Sequence, residues 1–179
     1  MKARRYIAIV GLFTLGASAD SFLLLRISDL GLAVQWTPLV WLSLNASKSM
    51  TNLPGGRIAD RFGRRRTLVL AWLIYAAAYA AFPMTHSIAL TWAFIVAYGA
   101  YYGLAEGAEK AILADLAPPE ARGRAFGALH AVTGMVVLPA NAIFGSLYSN
   151  QPAIAFGASA GCAALAAVAL ALTSGDKDA

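Results

Sequence analysis

Several ionisable side chains lie inside long apolar stretches of this sequence, where a charge without a partner is costly. They are Asp20, Lys48, Glu106, Glu109, Lys110 and His130. Lys48 and Glu106 form the most informative combination, because an amine and a carboxylate can change protonation or partner during a working cycle. The other interpretation is a static ion pair that joins two helices, a common role of buried charges.

Helical spacing places these two charges on defined faces. One face contains Trp41, Asn45, Lys48 and Asn52, and the other contains Tyr98, Tyr102 and Glu106. At about 1.5 Å per residue, Lys48 lies roughly 21 Å from a helix end at Val34, and Glu106 lies roughly 25 Å from one at Ala89. The similar depths predict a direct contact between Lys48 and Glu106.

Two further groups of polar residues could take part in chemistry. His130 and Asn141 share a face of a stretch that Pro139 can kink. His130 is suited either to relaying protons or to a structural hydrogen bond. Asp20 and Arg26 lie near the end of the first apolar stretch, where they form either a gate or a solvated boundary pair.

The composition indicates which elements position these residues. Of the 179 residues, 59% are hydrophobic and only 13% are charged, whereas soluble domains carry about 25% charged residues. The outer surface must therefore contact lipid, where helices satisfy every backbone group internally. Stretches long enough to cross about 30 Å of hydrocarbon lie near residues 6–25, 33–53, 67–85, 88–112, 124–148 and 151–173. We expect an all-α membrane protein, with one six-helix transmembrane domain over residues 1–179.

The positive charges predict the orientation of this bundle. Twelve of the 14 lysines and arginines fall on one side: Lys2, Arg4, Arg5, Arg57, Arg61, Arg64, Arg65, Arg66, Lys110, Arg122, Arg124 and Lys177. Lysine and arginine prefer the cytoplasmic side. We therefore expect a multi-pass protein of the cell membrane with both termini in the cytoplasm.

Residues 54–66, PGGRIADRFGRRR, contain five arginines between two apolar stretches. A soluble basic patch of this density would suggest nucleic acid, but the flanking spans favour a tight hairpin near lipid headgroups and exclude a nucleic-acid partner. Pro54, Gly55 and Gly56 are expected to end the second span. Cys162 is the single cysteine, so neither a disulfide framework nor a metal cluster is expected.

The order of residues in this hairpin resembles the signature loop of the major facilitator superfamily of transporters. The matching positions are Gly56, Asp60, Arg61, Gly63, Arg64 and Arg65, with Ile58 in place of the usual leucine. A second stretch, from Asp115 to Gly127, is similar to the loop between the fourth and fifth helices of a half-transporter. Together with residues 15–32 and the segment from Gly107 to Glu109, it makes the chain resemble the carboxyl-terminal six-helix half.

The resemblance implies a secondary active transporter that works by alternating access, with an ion- or proton-coupled small molecule as substrate and no cofactor. In the family, two six-helix halves enclose the substrate site, and the signature aspartate contacts the fifth helix of the other half. A second unit is therefore expected as a partner, either a separate amino-terminal half or a parallel copy. In a homodimer, Asp60 would meet Arg122 and Arg124 of the other copy. The signature loop is expected to act in conformational switching.

The distribution of polar residues predicts which helices line the cavity. Candidates for substrate binding or coupling are Asn45, Lys48, Glu106, His130 and Asn141. They lie in spans two, four and five, and Asp20 lies in span one, so spans three and six are expected to face lipid. Span four also carries Gly99, Gly103 and Gly107, a ridge that permits close helix contact.

Other classes of function are also compatible with this sequence. The chain could be a non-transporting fragment or an accessory membrane subunit. Gly157-Ala-Ser159-Ala-Gly161 fits the G-x-S-x-G pattern of hydrolases, with His86 and His130 elsewhere. A nucleophile of that type requires a strand-to-helix turn, whereas this pattern lies in a predicted helix, so we do not expect an enzyme. The sequence contains no phosphate-binding loop of the G-x-x-x-x-G-K-[ST] type, which disfavours direct use of ATP.

Overall fold

The structure is a computed structural model that describes residues 2–173; Lys177 of the charge pattern lies outside this range. The described residues form helices and contain no strand, which confirms an all-α bundle. The α-helices are α1 (Ala3–Gly16), α2 (Ser21–Asp29), α3 (Thr37–Phe62), α4 (Arg64–Ala81), α5 (Ile88–Leu116), α6 (Arg122–Asn150) and α7 (Pro152–Leu172).

Five helical stretches are long and apolar enough to cross a membrane, namely Ala3–Asp29, Arg64–Met84, Ile88–Leu116, Pro119–Asn150 and Pro152–Leu172. The helix α3 is also long, with 26 residues, but Asn45, Lys48 and Asn52 make it more polar. At about 1.5 Å per residue it spans roughly 39 Å. We take α1 with α2 as the first span and α3 as the second.

The structure changes two of the predicted span boundaries. The first span is interrupted between Gly16 and Ser21 and continues to Asp29. The second does not end at Pro54; α3 continues to Phe62, and Gly63, with φ of +91°, joins it to α4. Proline and glycine weaken a helix in water, but in lipid the unbroken helix keeps the backbone hydrogen-bonded.

Aromatic packing among α1, α4, α5 and α7 forms the core. The rings of Phe13 and Trp72 stack at 4.7 Å between centroids, and those of Tyr75 and Tyr79 stack at 4.1 Å. Trp72, Tyr75 and Tyr79 are fully buried. Stacked rings add to the stabilisation from burial, so this part of the bundle forms a complete core within one chain.

Small residues allow the backbones of α3 and α5 to pack directly against each other. A Cβ atom added at Gly103 would lie 2.5 Å from the carbonyl carbon of Thr51, and one at Gly99 would lie 2.6 Å from Ser47 Oγ. A Cβ atom at Gly55 would lie 2.6 Å from the carbonyl carbon of Gly103. The predicted glycine ridge is confirmed at Gly99 and Gly103, but Gly107 faces open space.

The helices α3 and α6 are the most exposed of the long helices. Each buries four residues, of 26 in α3 and 29 in α6, whereas the shorter α4 buries eight of 18 and α7 eight of 21. Spans three and six, α4 and α7, were expected to face lipid; their inner faces hold the aromatic core, and Leu70 and Leu165 are exposed on their outer faces.

Candidate functional site

A cluster of polar side chains surrounds the interruption between α1 and α2. The break frees backbone groups that an unbroken helix would pair internally. Ser159 donates to the carbonyl of Gly16, the Ser18 amide donates to Tyr75 Oη at 3.3 Å, and the Ala19 amide donates to Asn141 Oδ1 at 2.7 Å. Side chains from α4, α6 and α7 therefore stabilise the interrupted geometry.

Asp20, the residue that precedes α2, forms an ion pair with Lys48 of α3. Its second carboxylate oxygen accepts a hydrogen bond of 2.9 Å from Tyr98 of α5. The Lys48 amine lies 4.5 Å from the centroid of the Tyr102 ring, a cation–π contact. The side chains of Lys48 and Asp20 are 13% and 19% exposed, so the pair is largely buried but open to one side. We call Asp20, Lys48, Tyr98 and Tyr102 the charge cluster.

The charge cluster lies near the middle of the bundle. Asp20 is about 14 Å from the end of α2 at Asp29, at about 1.5 Å per residue. By the same rise, Lys48 is about 16 Å from Thr37 and Tyr98 about 15 Å from Ile88. These depths are near half of a hydrocarbon layer of about 30 Å.

Hydroxyl groups extend this polar region into the core. Tyr79 Oη lies 2.8 Å from Ser18 Oγ, and Tyr75 Oη lies 2.9 Å from Ser159 Oγ. Both tyrosines are fully buried, and each finds a hydrogen-bond partner at the break. Ser159, which fits the hydrolase pattern, thus lies in a helix and is hydrogen-bonded to Gly16 and Tyr75.

The predicted contact between Lys48 and Glu106 is wrong. Lys48 pairs with Asp20, while Glu106 accepts a hydrogen bond of 2.8 Å from Lys110, one turn further along α5. Helical spacing and depth were both compatible with a Lys48–Glu106 pair. The break in the first span brings Asp20 to the same level, and its carboxylate takes the amine instead.

The structure also separates Asp20 from Arg26, which were expected to form a gate or a boundary pair. Arg26 donates to the carbonyls of Thr85 at 2.9 Å and Pro83 at 3.4 Å. It therefore ties α2 to the connection between α4 and α5. Asp29, at the end of α2, accepts a hydrogen bond of 2.5 Å from Tyr148 of α6.

The remaining cavity candidates lie on exposed or half-buried faces. Asn45 donates a hydrogen bond of 2.8 Å to the carbonyl of Trp41. Asn141 donates one of 2.8 Å to the carbonyl of Val137, and its Oδ1 accepts the hydrogen bond from the Ala19 amide at the break. His130 is exposed on α6. The structure therefore brings Lys48 and Asn141 to the region of the break, and places His130 and Glu106 outside the charge cluster.

The signature-loop residues form a compact turn at one end of the bundle, which we call the arginine-rich end. Arg64 pairs with Asp115 at 2.5 Å, and Asp60 lies 4.0 Å from Arg64 with 73% of its side chain exposed. Arg65 donates to the carbonyls of Leu170 and Ala171, near the end of α7. The loop thus joins α3 and α4 to both α5 and α7.

The other signature-loop residues contribute less to the contacts of this turn. Gly63 takes the positive φ that the one-residue turn requires. Arg61 is exposed, and a Cβ atom at Gly56 would meet nothing within 4 Å.

Sequence reasoning missed several members of the site. Ser18, Tyr75 and Tyr79 were not singled out, and Asp20 was placed near the end of a continuous span. The available signal was the polar segment Ala17-Ser18-Ala19-Asp20 directly after Gly16. A run of small and polar residues in the middle of an apolar stretch is typical of a helix break that lines a polar site.

The fold and the buried charge cluster together define a multi-pass helical membrane protein. The chain belongs to the major facilitator superfamily, because the model of that family matches residues 6–178. This assigns the chain to a family of transporters rather than of enzymes.

Curated relatives share the sequence over most of this chain. An uncharacterised MFS-type transporter of Methanocaldococcus jannaschii is 29% identical over 160 residues, which cover 84% of this chain and 39% of that protein. Uncharacterised proteins of Mycobacterium bovis and Mycobacterium tuberculosis are 27% identical over 117 residues, which cover 65% of this chain and 28% of each relative. The chain thus matches well under half the length of these relatives.

Proposed function

We propose that this chain is a six-helix half of a secondary active transporter that moves a small molecule by alternating access, coupled to an ion or proton. It acts in the cell membrane, with the arginine-rich end and both chain termini toward the cytoplasm. The observation that carries this proposal is the charge cluster at an interrupted helix, near the middle of the bundle and open to one side.

The chemistry of the charge cluster fits a coupling site. Interrupted helices in transporters expose backbone groups and charges where substrates and ions bind near the bilayer midplane. Protonation of Asp20 would release Lys48 from its ion pair and leave the hydrogen bond to Tyr98 without an ionised acceptor. A proton or a substrate charge can therefore change the contacts between α2, α3 and α5.

A second six-helix unit would cover the exposed faces of α3 and α6. On α6, added Cβ atoms at Gly123, Gly127 and Gly134 would meet nothing within 4 Å. These glycines lie on one side of the helix at spacings of four and seven residues, a pattern that permits close contact with another helix. Leu138 and Met135 are 76% and 77% exposed on α6.

The signature loop supplies the second contact between the units. Asp60 is largely exposed and only 4.0 Å from Arg64, so its carboxylate is available to another partner. The start of α6 in a second unit offers Arg122, Arg124 and a helix N-terminus, all of which favour a carboxylate. We assign Asp60 to conformational switching, because this contact would form and break as the units rock.

Proteoliposomes with an imposed proton gradient and an internal pH dye provide the test. The full chain is reconstituted alone, where it can form a dimer, and with the candidate amino-terminal half if the neighbouring gene encodes one. Sugars, organic cations and amphipathic drugs are added in turn. We expect at least one class to cause proton movement that Asp20→Asn reduces at least tenfold.

Glu120→Gln is the matched control, because Glu120 is an exposed acid in the connection before α6. It should retain the flux. If the chain causes no flux in either reconstitution, or Asp20→Asn behaves like Glu120→Gln, the coupled-transporter proposal is wrong and a non-transporting subunit takes its place.

A further inference from the structure

A surface groove of about 720 Å³ lies at the arginine-rich end, away from the charge cluster. Arg61, Arg64, Arg65 and Arg66 line it with a single acid, Asp60. Its other lining residues include Val69, Leu70 and Leu73 of α4. The groove therefore combines an excess of positive charge with an apolar wall.

The arginines of the groove differ in how their charges are compensated. Arg64 is paired with Asp115. Arg65 is held by Leu170, Ala171 and Thr173, which are all uncharged partners. Among residues 2–173, no carboxylate forms a salt bridge with Arg61, Arg65 or Arg66. Three guanidinium groups around one groove thus have no carboxylate partner among the described residues and can attract an anion. The hydrogen bonds to α7 already hold Arg65 in place.

The apolar wall lies at a defined depth below these charges. Arg66, Leu70 and Leu73 share one face of α4 at spacings of four and three residues. Leu70 lies about 6 Å and Leu73 about 10 Å further into the bundle than Arg66, at about 1.5 Å per residue. Leu70 is 51% exposed and Leu73 is 44% exposed. A ligand that fills the groove must therefore be anionic at one end and apolar at the other.

We propose that this groove binds one anionic phospholipid, with its phosphate against Arg61, Arg65 and Arg66 and an acyl chain along Leu70 and Leu73. The position fits, because a loop between two spans lies at the level of the headgroups. A soluble phosphate would satisfy the arginines but would leave the apolar wall uncovered. Asp60, Arg61 and Arg65 also belong to the signature loop, but binding of the lipid does not require transport activity.

The test measures binding of fluorescent phosphatidylglycerol to the full chain in phosphatidylcholine nanodiscs. Removal of two unpaired charges in Arg61→Gln/Arg66→Gln should weaken the apparent affinity roughly twenty-five-fold, at about fivefold for each arginine near an anionic headgroup. The matched control is Arg5→Gln/Arg57→Gln, which removes two exposed arginines that do not line the groove. It should change the affinity less than threefold.

A further variant tests the apolar part. Leu73→Trp fills the lower groove, so it should weaken phosphatidylglycerol binding while the affinity for inorganic phosphate, measured with radiolabelled phosphate, stays the same. If Leu73→Trp has no effect on the lipid, or inorganic phosphate binds to the groove as tightly as the lipid does, the groove is a simple anion site and the proposal is wrong.

Equal losses in both double variants would also overturn it, because general attraction to a positive surface would then explain the binding. Should Arg61→Gln/Arg66→Gln fail to accumulate, the single variants replace it. Each should lose about fivefold, and no loss in either contradicts the site.

Discussion

Two helices of this bundle carry glycines at helical spacing, but the glycines have different surroundings. On α5, Gly99 and Gly103 contact α3 so closely that an added methyl group would overlap its atoms. On α6, Gly127 and Gly134 face open space. The same small-residue pattern therefore lies in a closely packed helix interface on α5 and on an exposed surface on α6.

The polar residues near the two helices differ in the same way. Lys48 and Tyr98, at the α3–α5 interface, are joined through Asp20, whereas His130 on α6 is exposed. The α3–α5 side of the molecule therefore depends on contacts within the chain. The face of α6 that carries His130 is exposed.

The largest expected effect is at the α3–α5 interface. Gly103→Ala would place a methyl group 2.5 Å from the Thr51 backbone, so the two helices must separate. We expect a loss of about 3 kcal/mol in the free energy of unfolding, measured by denaturant titration in detergent. Gly107→Ala is the control on the same helix, and it should be neutral or stabilising by up to about 1 kcal/mol. Equal behaviour of the two variants would refute the close interface.

The second effect concerns the ion pair beside this interface. Lys48→Gln leaves Asp20 with its charge and only the hydrogen bond from Tyr98. We expect a loss of about 2 kcal/mol, because a largely buried charge loses its partner. The double variant Asp20→Asn/Lys48→Gln should be more stable than Lys48→Gln alone.

Lys110→Gln is the matched control for this experiment. Its pair with Glu106 is exposed, so the change should cost less than about 0.5 kcal/mol. A double variant that is less stable than Lys48→Gln would mean that the pair does not couple Asp20 to Lys48.

A third, smaller effect is expected where the signature loop meets α7. Arg65→Gln removes the donors to the carbonyls of Leu170 and Ala171, which lie at the end of a helix. The expected cost is about 1 kcal/mol, measured without anionic lipid. Arg66→Gln, the neighbouring exposed arginine, should leave stability unchanged. If Arg66→Gln costs as much, the loss reflects the charge of the loop rather than these hydrogen bonds.

The smallest effect on folding is expected on α6. Gly127→Val and Gly134→Val add side chains to open space, so each should change the stability of a single unit by no more than about 0.5 kcal/mol beyond helix propensity. If α6 packs against a second unit, the same variants should reduce the proportion of dimer in a mild bilayer mimic. Destabilisation of the monomer at these positions would contradict the open face.

The helical class and the close approach at Gly99 and Gly103 could be predicted because they depend on local spacing. The turn after the second span was expected at Pro54 to Gly56, but it lies at Gly63 because α3 continues to Phe62. The break in the first span was not predicted. Its local signal was the polar segment from Ala17 to Asp20, but the partners of its backbone groups, Ser159, Tyr75 and Asn141, are distant along the chain. Tertiary contacts rather than a proline or turn motif stabilise it.

The partner of Lys48 was missed for a related reason. Spacing and depth identify the level of a side chain in a bundle, but they do not identify which neighbouring helix it meets. Asp20 was assigned to a span end because the span was taken as continuous to residue 25. Because the helix is interrupted after Gly16 and the span continues to Asp29, Asp20 lies at mid-depth beside Lys48.

In the proposed homodimer, the exposed α3 and α6 faces meet a second copy of the chain, with Asp60 of one copy beside the start of α6 of the other. Cysteine crosslinking tests it in a Cys162→Ala background, with Asp60→Cys and Arg124→Cys placed on differently tagged copies in membranes. Glu120→Cys paired with Arg4→Cys is the control for random collision. We expect a crosslinked dimer with the first pair and little with the second. A chain that remains monomeric with the first pair, or that crosslinks equally with both, would contradict the homodimer.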